Sequence, residues 1–265
     1  MSLPAYDTLL IEFHGEHVLQ VTLNRVAAMN ALNTQMGRDL LDLFGRITVD
    51  PGPVRCVLLS GAGNKAFCSG GDLKERNEMT QQAWQAQHEL FERAFFALME
   101  CPTPVVAALN GHAMGGGLEM ALCCDFVYAV RGARFALPEV RLGIMPGGCG
   151  TQNLARAVGE RRAKELILTG LPFSADDGVG WGVFNRACDT DALMADALAT
   201  ACAIANNAPL SLRQAKKSIH YGLQMDLLTG YRFEIEAYNR LIDTHDRMEG
   251  VRAFNEKRKP EFLGR

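Results

Sequence analysis

The chain has 265 residues, 48% of them hydrophobic and 22% charged, ordinary proportions for a globular protein with one large core or two small ones. A formal net charge of −3 excludes the basic footprint of a nucleic-acid binder, and apolar runs such as Pro104–Leu109 and Met120–Val130 are too short or too interrupted to span a bilayer. Eight cysteines without CxxC spacing exclude a paired-cysteine zinc site and, with no leader-like opening segment, point to a reducing, cytoplasmic setting.

Thr8–Phe13 and Val18–Leu23 read as two strands joined across His14-Gly15-Glu16-His17, a hairpin. Thr34–Val49 places Met36, Leu40, Leu43, Phe44 and Ile47 at helical spacing, with Asn33 or Thr34 as the cap. Val54–Ser60 is an apolar, β-branched strand that runs into the turn-rich stretch 61–71. Thr80–Cys101 is a long amphipathic helix stopped by Cys-Pro-Thr-Pro at 101–104. Val105–Leu109 is a buried strand, Gly115–Cys124 a helix opened by glycines, and Asp125–Val130 another strand. This alternation predicts an α/β layered core with parallel pairing. From Thr151 onward the signals are almost all helical, with Pro209–Tyr221, Tyr231–His245 and Glu249–Lys259 closing the chain. The break at Asn207-Ala208-Pro209 divides an α/β core, 1–207, from a helical part, 208–265. Lys257-Arg258-Lys259 reads as a solvated helix end.

Three segments carry chemistry. Lys65–Lys74 follows a strand and precedes a helical region, so it stands at the carboxyl edge of a sheet, where open α/β sheets bind ligands. Its paired glycines leave a backbone N–H unshielded by a Cβ, and Asp72 also suits a plain helix cap. Asn110–Glu119 repeats the arrangement with Gly115-Gly116-Gly117. Three glycines in a row cost backbone entropy, which predicts a close backbone approach, and unpaired N–H groups at a helix start suit a developing oxyanion. The spacing does not match a dinucleotide fingerprint, and His112 beside the turn reads as structural. In the third segment, Pro138–Thr151, Glu139 lies a helix, a strand and a turn beyond Glu119, a separation that can fold the two carboxylates together. Singly, each glutamate is equally at home in the first turn of a helix.

Together these segments resemble the enoyl-CoA hydratase/isomerase (crotonase) family. The resemblance runs through Leu23-Asn24-Arg25 with Asn30-Ala31-Leu32-Asn33, Ala66–Lys74, Asn110–Glu119, Pro138–Gln152 and the tail Glu256-Lys257-Arg258-Lys259. It implies a spiral of ββα units with a helical C-terminal trimerisation part, assembled as a homotrimer or a dimer of trimers. By position, Gly71 and Gly116 match the family's oxyanion-hole N–H groups. Gly71, Asp72, Leu73 and Lys74 match its CoA-contacting loop, while Glu119 and Glu139 match the two glutamates found together in hydratases. The implied reaction is hydration of a 2-enoyl-CoA to a 3-hydroxyacyl-CoA, or the reverse. Glu119 would position and deprotonate water and Glu139 would supply the α-carbon proton, with no metal and no cofactor beyond the CoA of the substrate.

Departures from the family pattern sit beside these matches. Val26 stands where proline usually follows the Asn-Arg pair, Ala27 and Ala28 follow it, and Cys149 replaces a usual glycine. Gly178 and Gly180 fall inside an otherwise good helix and predict a weakened turn there. Isomerases of the family often lack the first glutamate, and Gly147 stands where dienoyl isomerases carry an extra acid. Isomerisation remains the alternative chemistry; an RNA-binding or catalytically silent CoA-ester-binding relative is the alternative outside catalysis, against which the charge and the intact glutamates argue. Trp84, Phe91, Met79, Met145 and Trp181 are candidates for the acyl pocket, though at helical spacing each serves equally as core.

Overall fold

The computed structural model describes residues 3–265. It opens with the expected hairpin, β1 (Leu9–His14) and β2 (Val18–Leu23), paired antiparallel. Helix α1 (Thr34–Val49) follows, and Asn33 rather than Thr34 caps it, its side chain accepting from the Met36 N–H. The chain then passes repeatedly through a strand in one sheet, a short strand in a second and one or more helices. The first pass is β3 (Cys56–Gly61), β4 (Ala66–Cys68), α2 (Leu73–Asn77) and α3 (Gln81–Met99). The second is β5 (Val105–Leu109), β6 (His112–Met114) and α4 (Gly116–Leu122). The third begins with β7 (Phe126–Val130) and β8 (Phe135–Ala136). It continues through α5 (Gly150–Val158), α6 (Glu160–Thr169) and α7 (Ala175–Trp181) to β9 (Arg186–Cys188) and α8 (Leu193–Ala205). Helices α9 (Pro209–Gly222), α10 (Leu227–Asn239) and α11 (His245–Asn255) close the chain.

The large sheet has the order β1-β2-β3-β5-β7-β9 and is parallel from β2 onward. Every residue of β3 and β5 is buried, as expected of central parallel strands covered on both faces. Helices α1 and α3 pack together as one layer, and α8 lies across β2, β3, β5 and β7. The small parallel sheet, β4-β6-β8, stands at the carboxyl ends of the large-sheet strands. Its strands are two or three residues long, and their turn-like sequences hid them. The spiral of ββα units is therefore the architecture.

Three expectations are corrected. Gly178 does not weaken its turn: a Cβ there would stand 2.4 Å from the Phe184 ring, so the glycine admits that ring to the core, and a Ser174–Asp177 capping box secures α7. The final two helices begin earlier than their apolar spacing suggests, at Leu227 behind the Asp226 cap and at His245 behind the Thr244 cap. The basic tail is not simply a solvated helix end. Lys257 adopts a positive φ of 55°, and Arg258 turns back to the buried Glu249 at 3.0 Å.

Candidate active site

A cavity of about 510 Å³ opens between the two glycine loops, α3 and the 138–148 segment, within the range of small-molecule sites. Leu32 bridges to the first loop on both sides of Gly71: its N–H donates to the Gly70 carbonyl, and its own carbonyl accepts from the Asp72 N–H, each at 2.8 Å. Extended backbone alternates the direction of its N–H groups, so Gly71 turns its own away from Leu32. Gly116 is the first residue of α4 and has no intrahelical acceptor. Among the described residues neither N–H meets a backbone acceptor. The two lie close: a Cβ on Gly116 would stand 4.0 Å from the Gly71 nitrogen.

The second loop shows what its three glycines do. Gly115 adopts φ 51° and ψ −128°, a conformation only glycine tolerates well, and a Cβ there would stand 2.9 Å from Glu139 Oε1. Gly116, whose N–H has no backbone acceptor among the described residues, lines the cavity. A Cβ on Gly117 would fall 2.3 Å from the Cys68 carbonyl oxygen, so the close approach predicted for this run is partly to β4. Three residues into α4, Glu119 is buried, and its Oε1 accepts from the Gly148 and Gly150 N–H groups at 2.8 and 2.9 Å. Glu139 opens a short 3-10 turn, Glu139–Leu142, and is also buried. Its Oε2 has no hydrogen-bond partner among the described residues. Both carboxylates line the cavity, as do Gly71 and Gly116.

The enoyl-CoA hydratase/isomerase family model matches residues 14–265. A Bacillus subtilis relative carrying the enoyl-CoA hydratase/isomerase name is 42% identical over 97% of this chain and 99% of its own length. The short-chain-enoyl-CoA hydratase of Clostridium acetobutylicum is 39% identical over 96% of this chain and 97% of that protein. The crystal structure of enoyl-CoA hydratase from Bacillus anthracis superposes with a TM-score of 0.96 at 39% identity, covering 98% of this chain and all of that one (100%). This chain belongs to the enoyl-CoA hydratase/isomerase family.

Glu119 and Glu139 stand in unequal surroundings. Burial pushes the Glu139 carboxyl up to about 7, and the nearby Glu119 charge adds to the effect, against its own backbone N–H. Burial also raises Glu119, but the Gly150 and Gly148 N–H groups and the Arg76 charge pull it back. A carboxylate holding two donors favours its charged form, and one with a bare oxygen favours its proton. The surroundings of the two carboxyls therefore favour different protonation states.

Other expected residues divide. Gly71 and Leu73 line the cavity, whereas Asp72 and Lys74 stand outside its wall. The Asp72 carboxylate caps α2 through the Lys74 and Glu75 N–H groups and pairs with Arg25 at 2.9 Å, so in this chain it secures the loop. Trp84, Phe91 and Met145 line the cavity; Met79 and Trp181 do not, and Trp181 packs instead on Phe173 and Arg162. His112 accepts from the Arg134 N–H at 2.9 Å through Nδ1, a structural bond. Sequence reasoning missed the two donors to Glu119, which flank Cys149 in its positive-φ turn, and it missed Arg76. For Arg76 a signal was present: a cation two residues after Lys74, following the first glycine loop.

Proposed function

We propose that this family member hydrates 2-enoyl-CoA thioesters to 3-hydroxyacyl-CoA, or dehydrates them in reverse, using Gly71 and Gly116 as the oxyanion hole and Glu119 and Glu139 as the acid–base pair. The observation that carries the reading is the convergence of two unpaired backbone N–H groups and two buried carboxyls on one cavity. Two hydrogen bonds to the thioester oxygen draw electrons from the β-carbon and stabilise the enolate that forms; each such donor lowers the barrier by roughly 2.7–4 kcal/mol. Glu119, anchored through Oε1, leaves Oε2 to orient water and accept its proton as oxygen bonds to the β-carbon. Glu139, holding a proton near neutral pH, delivers it to the α-carbon, and the pair is reset by proton exchange with solvent. This assignment calls on CoA only as part of the substrate. The Gly71–Lys74 loop, with Gly116 of the second loop, is assigned to the thioester and CoA; Gly71, Leu73 and Gly116 line the cavity, and Asp72 and Lys74 lie outside its wall.

Product mass separates this from double-bond isomerisation. Incubated with crotonyl-CoA, the enzyme should yield a thioester heavier by one water; a product of unchanged mass would favour isomerisation.

The same proposal includes the division of the chain at 207/208 and its assembly. Residues 1–207 form the catalytic core and residues 208–265 the oligomerisation part of a homotrimer or dimer of trimers. Support comes from α9 and α10, which expose Ile219, Leu223, Leu227, Tyr231, Ile235 and Tyr238, spaced to share one face and extensive enough to mark an interface. No helix among the described residues is long and apolar enough to cross a membrane. The eight cysteines carry no disulfide, which fits a cytoplasmic setting.

A further inference from the structure

The guanidinium of Arg76 is held in the cavity wall with no carboxylate hydrogen-bonded to it among the described residues. It extends from α2 back over Gly71, where a Cβ would stand 3.2 Å from its Cζ and Nη1. Its Cζ lies 4.6 Å from the centre of the Trp84 ring and 5.7 Å from that of Phe91, so its planar faces stack on aromatic carbon. Nε donates to Gln87 Oε1 at 2.9 Å. Gln87 is only 3% exposed, and its Nε2 donates to Glu75 Oε2 at 2.8 Å and to Thr34 Oγ1 at 2.9 Å. Those two bonds fix which way the amide faces, and the amide oxygen in turn fixes the guanidinium.

What remains free is the outer edge of the fork. Among the described residues, neither Nη atom has a hydrogen-bond acceptor, and Arg76 forms no ion pair. Glu75 and Glu119 are the acids whose charges it feels. Glu75 is engaged by the Thr34 N–H and by Gln87, and Glu119 by the 148–150 backbone. His88, another basic group in the wall, pairs with Glu92 at 3.0 Å. A half-buried, unpaired cation is costly, and for a purely hydrocarbon acyl chain an apolar side chain would fill this position better. An arginine fork is instead matched to a carboxylate, which it binds through two parallel hydrogen bonds.

We propose that the cavity selects enoyl-CoA thioesters whose acyl chain carries a second, ionised carboxylate, and that Arg76 receives that group. The proposal rests on the hydratase reading and narrows its substrate. Arg76 acts here as a specificity-determining residue: it touches the acyl chain and takes no part in the proton transfers.

The test compares kcat/KM for glutaconyl-CoA, which ends in a carboxylate, with that for pentenoyl-CoA, its neutral equivalent of the same length. Loss of a buried, hydrogen-bonded charge partner corresponds to roughly 30-fold or more, so the enzyme should prefer glutaconyl-CoA by at least that factor. Arg76→Met should abolish the preference, mainly through a higher KM for glutaconyl-CoA, and Arg76→Lys should restore part of it. The ratio does not depend on the fraction of enzyme folded, and the unmutated enzyme alone decides the sign. Equal use of the two thioesters by the unmutated enzyme would overturn the proposal while leaving the hydratase reading intact. So would an equal fall on both in Arg76→Met, which would assign Arg76 to tuning Glu119. If neither thioester gains water, the hydratase reading itself falls and takes this proposal with it.

Discussion

Glu139 is held in a place that opposes its own ionisation. With Oε2 unpartnered and burial holding its proton to about 7, the folded protein binds more protons at this site than the unfolded chain does, from the usual carboxylate range up to neutrality. Stability from this group is therefore greatest at low pH and is lost as pH rises through that window. Glu139→Gln, which keeps the shape and removes the charge, should raise the melting temperature, and more at pH 8 than at pH 5. Calorimetry at the two pH values checks this; a variant less stable at pH 8 would mean that the carboxylate has a stabilising partner. Glu119, Glu139, Gly71 and Gly116 were singled out in the sequence by their match to the family's motifs, and the structure brings all four to one cavity. The donors to Glu119 were not legible. They arise 29 and 31 residues downstream, from a turn whose direction depends on the positive φ of Cys149. Arg76 was visible only as a cation beside the loop, since its place in the cavity wall depends on a side chain folding back across Gly71.

At the scale of elements, the site depends on how closely α4 approaches the small sheet. Gly117 sets that distance, because its Cα faces the Cys68 carbonyl with no room for a methyl group. Backbone on one side and a helix on the other cannot yield as a flexible side chain would. Gly117→Ala should therefore cost about 1–3 kcal/mol of stability and displace the Gly116 N–H from its neighbour at Gly71. Denaturant unfolding with steady-state kinetics checks both effects, and a variant of unchanged stability and activity would contradict the packing argument. The long elements were readable from periodicity: α1 and β5 have the bounds that their apolar spacing predicts. The strands β4, β6 and β8 were not, because two or three residues are too few to show a period of two. β9 was hidden by its arginine and by the helical sequence around it, and only pairing with β7 makes it a strand.

For the whole molecule, the C-terminal helices are fastened to the core by polar contacts while leaving an apolar face outside. Lys216 reaches Asp125 at 2.8 Å, and Arg55 donates to the Phe262 carbonyl at 2.7 Å. The exposed stripe on α9 and α10 should be covered by further copies of the chain. Sedimentation of the purified protein should show a trimer or hexamer, and Leu227→Glu combined with Ile235→Glu should shift it toward monomer; a monomeric parent protein would contradict this assignment. The strand and helix alternation showed an α/β core with parallel pairing, the ββα spiral came from the family resemblance, and the lateral relation of the two sheets required the coordinates. Water addition between the two carboxyls is tested most directly by the hydration rate of crotonyl-CoA in Glu119→Gln and Glu139→Gln. General acid–base groups contribute roughly 10²–10⁴-fold, so each variant should lose at least about 100-fold in kcat, with the double variant little worse than the singles. If both single variants kept kcat within tenfold of the parent, water addition between Glu119 and Glu139 would be contradicted.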